Sequence, residues 1–174
     1  MNEEKLIKKL LTNVDEEYKE IVKDILNHEE FLKRKNYHHH ENRSVYVHSL
    51  SVSIKAYKLA RTFHLDKKRA AIGGLLHDFY YMDWQQNIKV KKSFFQLHGF
   101  VHSKEALINA KKYFPTLIDK KTSNIIVRHM FPLTPIPPRY IESWIVTIVD
   151  KYVSIEIFKS PKELPKYIGI RRKE

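Results

Sequence analysis

Cysteine is absent from the 174 residues. No disulfide can staple the fold and no thiolate can hold zinc, which excludes structural sites of the zinc-finger type and is compatible with a reducing cytoplasm. Also missing are an internal repeat, a low-complexity block and the alternating apolar-polar pattern of strands. No apolar run approaches the about 18 residues of a membrane-crossing helix. The opening Met1-Asn2-Glu3-Glu4-Lys5 lacks the apolar core of a signal peptide. These absences together lead us to expect a soluble, cytoplasmic protein. Acidic residues are in deficit too: 20 Asp and Glu face 32 Lys and Arg, for a formal charge of +12.

What is present suits one compact domain, because 43% of the residues are apolar and the length allows a sizeable core. The positive excess favours anionic partners such as phosphorylated small molecules, nucleic acid or acidic membrane surfaces. It is spread in short groups, among them Lys33-Arg34-Lys35, Lys67-Lys68-Arg69, Lys91-Lys92 and Arg171-Arg172-Lys173, which read as solvated helix faces and tails.

Apolar spacing predicts helices along most of the chain. Leu6, Leu10, Val14, Tyr18, Ile21, Val22 and Ile25 give a helical stripe within residues 3–26, where Asn13 or Asp15 can cap a second helix. Ser44 caps a helix to about Phe63, with Val45, Val52, Tyr57, Leu59, Ala60 and Phe63 inward. Asp66 caps another, to about Met82. Its Gly73-Gly74 pair costs about 1 kcal/mol per glycine against Ala, which close approach of the preceding helix can offset. A helix from Lys104 ends at Pro115, and Asp119 opens one to about Met130. The proline-rich Phe131–Pro138 makes a stiff connection. The last helix, from about Arg139 to Ile157, is expected to bury Trp144, Ile145, Ile148, Val149 and Val153. Residues 83–95 look like a loop with Trp84, Phe94 and Phe95 among Lys89, Lys91 and Lys92, suited to cover a site.

The chemistry concentrates in the stretch from Ala71 to Tyr81, where His77 and Asp78 interrupt an apolar helical run. Burying that pair without a partner is costly, and a metal ion answers both residues at once. The two side chains are about 100° apart around a helix, so further ligands must arrive from other helices. Candidates follow in order: His48 upstream, then His98, His102, His129 and Asp150. His98 and His102 stand four apart, and whether their helix extends back through Gly99 decides if both share a face. His38-His39-His40 reads as an exposed loop, since successive residues do not share a helix face.

A His, a His-Asp pair and a distant Asp, each in an apolar helical context, resemble the HD superfamily of metal-dependent phosphohydrolases over roughly Arg43 to Ile157. The extra His between the pair and the last Asp is similar to its two-metal branch, which includes diadenosine tetraphosphate hydrolases and cyclic dinucleotide phosphodiesterases. The resemblance implies an all-α, single HD-type domain of about six or seven helices. Residues 1–42 would form a helical cover and loop, 43–158 the metal-binding core and 159–174 a basic tail. His48, His77, Asp78 and Asp150 would hold one ion, and Asp78 would bridge to a second held by His129 and by His102 or His98. His102 is the favoured ligand, leaving His98 as a further ligand, proton donor or phosphate contact, and Lys151 as a point charge for substrate phosphate.

One or two divalent transition metals, whether iron, manganese, zinc, cobalt or nickel, suit this mixed shell. The implied activity is hydrolysis of a nucleotide or dinucleotide phosphate by an activated water, with Asp78 as the catalytic residue. Two other readings stand beside it: a di-iron oxygenase, which would consume dioxygen, and a metal-stabilised nucleic-acid or regulatory binding module, which would bind strands salt-sensitively without turnover. No recognisable nucleic-acid motif supports the last.

Overall fold

A computed structural model describes residues 3–39, 43–80 and 98–158. The fold is all-α, with eight helices among these residues: α1 (Glu3–Thr12), α2 (Glu16–Leu26), the single turn α3 (Glu29–Leu32), α4 (Val45–Thr62), α5 (Lys67–Leu76), α6 (His98–Tyr113), α7 (Lys120–Arg128) and α8 (Ile141–Phe158). A two-residue antiparallel bridge, His38–His39 with Arg43–Ser44, precedes α4. The count exceeds the expected six or seven because the N-terminal stretch divides in three. The expected loop at 83–95 and tail at 159–174 lie outside the described residues, as do His40 and the side chains of His38 and His39.

Polar side chains set the helix starts. Asp15, Ser44, Asp66 and Asp119 each accept a hydrogen bond from a backbone N–H in the first turn of α2, α4, α5 and α7, which satisfies donors that have no partner within the helix. α4 ends in a left-handed residue, His64 at φ 54°, where the Leu65 amide reaches back 2.8 Å to the Ala60 carbonyl. The left-handed position ends the helix as a glycine would.

α4 is the centre of the molecule, buried at every residue from Val45 to Ile54. One apolar cluster joins its Val47, Leu50 and Tyr57 to Tyr18, Val22 and Ile25 of α2, Ile72 and Leu75 of α5, and Ala106 and Ala110 of α6. A second joins Val52, Ala56 and Ala60 to Ile125 of α7 and to Val146, Val149 and Val153 of α8. Each fully buried aliphatic contributes about 1.5–3 kcal/mol. A buried polar chain adds direction: the Tyr18 hydroxyl donates to Ser53 Oγ at 2.9 Å, and Ser53 donates to the Ala71 carbonyl at 2.7 Å, tying α2, α4 and α5 together.

The glycine pair works in two directions, where the sequence suggested one. A Cβ on Gly74 would lie 3.0 Å from Ser53 Cα, so its missing side chain does let α4 approach. A Cβ on Gly73 would meet Ile125 Cγ2 at 2.5 Å, so that glycine admits α7 instead.

Three other expectations are corrected. α5 stops at Leu76, six residues before Met82, because the chain turns at His77 and Asp78. The inward face of α8 is Ser143, Val146, Val149 and Val153, whereas Trp144 and Ile148 face outward and Ile145 is only partly buried. Leu59 and Phe63 of α4 are likewise exposed. Because Gly74 meets backbone rather than a movable side chain, Gly74→Ala should destabilise the fold by about 1–3 kcal/mol despite alanine's better helix propensity, as read from the midpoint of denaturant unfolding.

Candidate metal centre

His77 and His129 reach the same place by the same local device. Each is the residue that ends its helix, α5 or α7, and each ring donates through Nδ1 to the carbonyl three residues back: Gly74 at 2.8 Å and Ile126 at 2.7 Å. The bond occupies a carbonyl orphaned at the helix end and leaves Nε2 as the bare nitrogen, aimed inward. Asp78 follows His77 in the turn. Its position is braced by two groups that sequence reading missed. Asn109 of α6 donates to the Phe79 carbonyl at 3.0 Å. The Arg34 guanidinium, fully buried, donates to the Tyr80 carbonyl and lies 5.0 Å from the centroid of the Phe79 ring. Arg34 sits in a run of three cations that reads as solvent-facing; its spacing three residues beyond the buried Phe31 is the one signal that it turns inward.

Six of the anticipated residues, His48, His77, Asp78, His102, His129 and Asp150, meet at one buried point and come from α4, the turn after α5, α6, the end of α7 and α8. Asp78 divides them. Its Oδ2 lies 3.3 Å from His77 Nε2 and 3.7 Å from His48 Nε2. Its Oδ1 lies 3.4 Å from His102 Nε2 and 3.5 Å from His129 Nε2. Asp150 Oδ1 completes the first side, 3.0 Å from His48 Nε2 and 3.5 Å from His77 Nε2. Overlapping triads, His48-His77-Asp78 and Asp78-His102-His129, each hold their ligand atoms within 4.8 Å of one another.

The donor set fits divalent cations. His102 and His129 bring their Nε2 atoms within 3.1 Å of each other, and since His129 carries its proton on Nδ1, its Nε2 is a lone-pair donor that either a proton on His102 or a cation between the rings satisfies. Burial pushes the His129 imidazole below its usual value, favouring the neutral form a metal needs. Burial works against charge on His77 as well, but Asp78 and Asp150 outweigh it and carry that ring up to about 10. Burial would raise both carboxylates, yet His77 and its neighbours, His102 and His129 for Asp78 and His48 for Asp150, hold them below the ordinary carboxylate range. The carboxylates thus draw cationic charge into the centre.

Comparison with known proteins agrees with the geometry. The sequence model of the HD domain matches residues 45–155. The chain belongs to the HD domain family. No curated protein and no solved structure matches it. HD domains bind divalent metals, and the buried His and Asp cluster fits a metal-dependent hydrolase of this family in general terms. Among the described residues, no helix is long and apolar enough to cross a membrane.

Two further candidates stand apart from the six. His98 is the first residue of α6, so the helix does extend back through Gly99, but its side chain lies outside the described residues. Lys151 donates from Nζ to the His129 carbonyl at 2.9 Å, with Asp150 Oδ2 at 3.9 Å, at the half-buried edge of the cluster. A ligand that binds only the folded chain stabilises it by mass action, about 2.7 kcal/mol at a hundredfold excess over Kd. Thermal unfolding of chelator-treated HD protein should therefore rise by several degrees on adding manganese, iron or zinc, and the rise should vanish in His48→Ala.

Proposed function

We propose that this HD protein is a phosphohydrolase that cleaves a nucleotide or dinucleotide phosphate ester or anhydride, using one or two transition-metal ions held at the centre. The observation that carries the reading is the divided carboxylate of Asp78, each of whose oxygens faces its own pair of imidazoles. In this reading His48, His77, Asp78 and Asp150 hold one cation, while Asp78, His102 and His129 hold a second. Bound cations supply Lewis acidity, lowering the pKa of a water and neutralising phosphoryl oxygens during in-line displacement.

The chain's own groups do the rest. Asp78 is the catalytic residue because it touches both sides of the centre. The Nδ1 bonds of His77 and His129 to backbone carbonyls keep those rings from turning, so no reorganisation accompanies the reaction. Lys151 stands at the edge of the cluster with its ammonium already held by the His129 carbonyl, a fixed point charge for a substrate phosphate. His98 is a second phosphate contact or proton donor. The +12 charge draws anions toward the protein from a distance. Those features support a small phosphorylated substrate, and the likeness to the diadenosine tetraphosphate hydrolase and cyclic dinucleotide phosphodiesterase branches belongs to the same proposal.

The test is a panel of phosphate esters, nucleotides and dinucleotides run on metal-loaded protein, with metal content measured alongside. Asp78→Ala should lose bound metal and hydrolysis together. Lys151→Met should keep its metal while kcat/KM falls about tenfold or more, the worth of a hydrogen bond to a charged group. Full activity of a metal-free Asp78→Ala variant would refute the reading.

A further inference from the structure

The outward face of α8 is apolar and built symmetrically. Ile141, Trp144, Ile148, Tyr152 and Ile155 form one stripe along the helix, each exposed, with Ile148 61% and Trp144 38% accessible. The positions fall at helical spacing on a single side. Ile148 is the midpoint; Trp144 and Tyr152 stand four residues to either side, and Ile141 and Ile155 seven. The pattern therefore reads the same in both directions: aliphatic, aromatic, aliphatic, aromatic, aliphatic.

The stripe also carries no charge, in a chain of which 30% is charged. Between Ile141 and Ile155 the only ionisable acids and bases are Glu142, Asp150 and Lys151. All three turn elsewhere: Glu142 to Lys121 at 2.9 Å, Asp150 to His48 and Lys151 to the His129 carbonyl. Lys55 of α4 flanks the stripe, its ammonium 5.1 Å from the Tyr152 ring centroid. An anionic partner would be met by cations along the stripe, whereas Lys55 approaches it only at Tyr152. A face meeting its own copy must avoid like charges, and an uncharged one does.

We propose that the α8 stripe is the interface of a homodimer, in which α8 packs antiparallel against α8 of a second copy about a two-fold axis through Ile148. Isologous contact requires a self-complementary patch. Here Ile148 meets the partner's Ile148, Trp144 meets the partner's Tyr152, and Ile141 meets the partner's Ile155. Aromatic pairs of that kind add to the area they bury. The Phe131 ring packs on Trp144 with centroids 5.3 Å apart and widens the patch at that end. Covering the five exposed side chains hides on the order of 500 Å² per copy, at the small end of specific interfaces.

The test uses the full chain in sedimentation equilibrium and exploits its lack of cysteine. The wild-type protein should be a dimer, and Ile148→Glu, which sets two carboxylates against each other on the axis, should be a monomer with unchanged circular dichroism. Under mild oxidation Ile148→Cys should form a covalent dimer, whereas Ile155→Cys, held about 20 Å from its own copy by an antiparallel pair, should not. A monomeric wild-type protein overturns the proposal, whether the stripe is then found to bind anionic vesicles or to be covered by residues 159–174. So does a dimer indifferent to Ile148→Glu, and efficient cross-linking through position 155 overturns the antiparallel arrangement. Because the readout is mass rather than turnover, it is independent of the hydrolase reading.

Discussion

A carboxylate buried among imidazoles is the constraint around which this fold is arranged. Removing a charge such as that of Asp78 from water costs several kcal/mol, recovered only where opposite charge and hydrogen bonds are placed with good geometry. Here the groups around it come from five separate parts of the chain: His48 from α4, His77 beside Asp78 itself, His102 from α6 and His129 from the end of α7, with Asp150 from α8 as a second carboxylate held by His48 and His77. Of these contacts only that of His77 is local. The helices must therefore be set at fixed distances, and the devices that set them are visible: bare glycines where α5 meets α4 and α7, a hydroxyl chain from Tyr18 through Ser53 to Ala71, and the buried Arg34 holding the turn after Asp78.

Helix polarity reinforces the same charge balance. α5 and α7 both end at the centre, and the C-terminus of a helix carries about half a negative charge. Two such ends and two carboxylates make a site that attracts cations from every side. The rings of His77 and His129 sit on those ends and bond their last carbonyls, so the local price of ending a helix is met by the same side chain that faces inward. This removes an apparent conflict in the sequence, where a His in the last turn of a helix is favoured when protonated but must be neutral to ligate. Burial decides for the neutral form at His129.

Helix starts and the converging set were legible because each depends on residues close in sequence or on a strict order of residue types. Asp15, Ser44, Asp66 and Asp119 cap the helices they precede, and the order of His48, His77-Asp78, His129 and Asp150 carried the family. Where reading failed, distant partners had overruled local pattern. The end of α5 is hidden because Phe79, Tyr80 and Tyr81 continue an apolar run; what stops the helix is the turn, held by Arg34 and Asn109 from elsewhere in the fold. Arg34 itself looks like one of three surface cations. Gly73 gives no hint that its neighbour is Ile125 rather than α4.

The failure at α8 has a different origin, and it bears on the dimer. From Ile141 to Ile155 apolar residues occur on every side, and a helix of that kind is normally buried all round. No periodic stripe distinguishes an inner face, so the sequence by itself ranks Trp144 and Ile148 with Val149 and Val153 as core. Within one copy only half of that reading holds: Val146, Val149 and Val153 pack on α4 and α7, while the Trp144 and Ile148 side faces out. Local composition is consistent with burial that a single chain does not provide. A second copy across the two-fold axis supplies it, and α8 then has the metal centre's Asp150 on its flank, the core on one side and its own symmetry mate on the other.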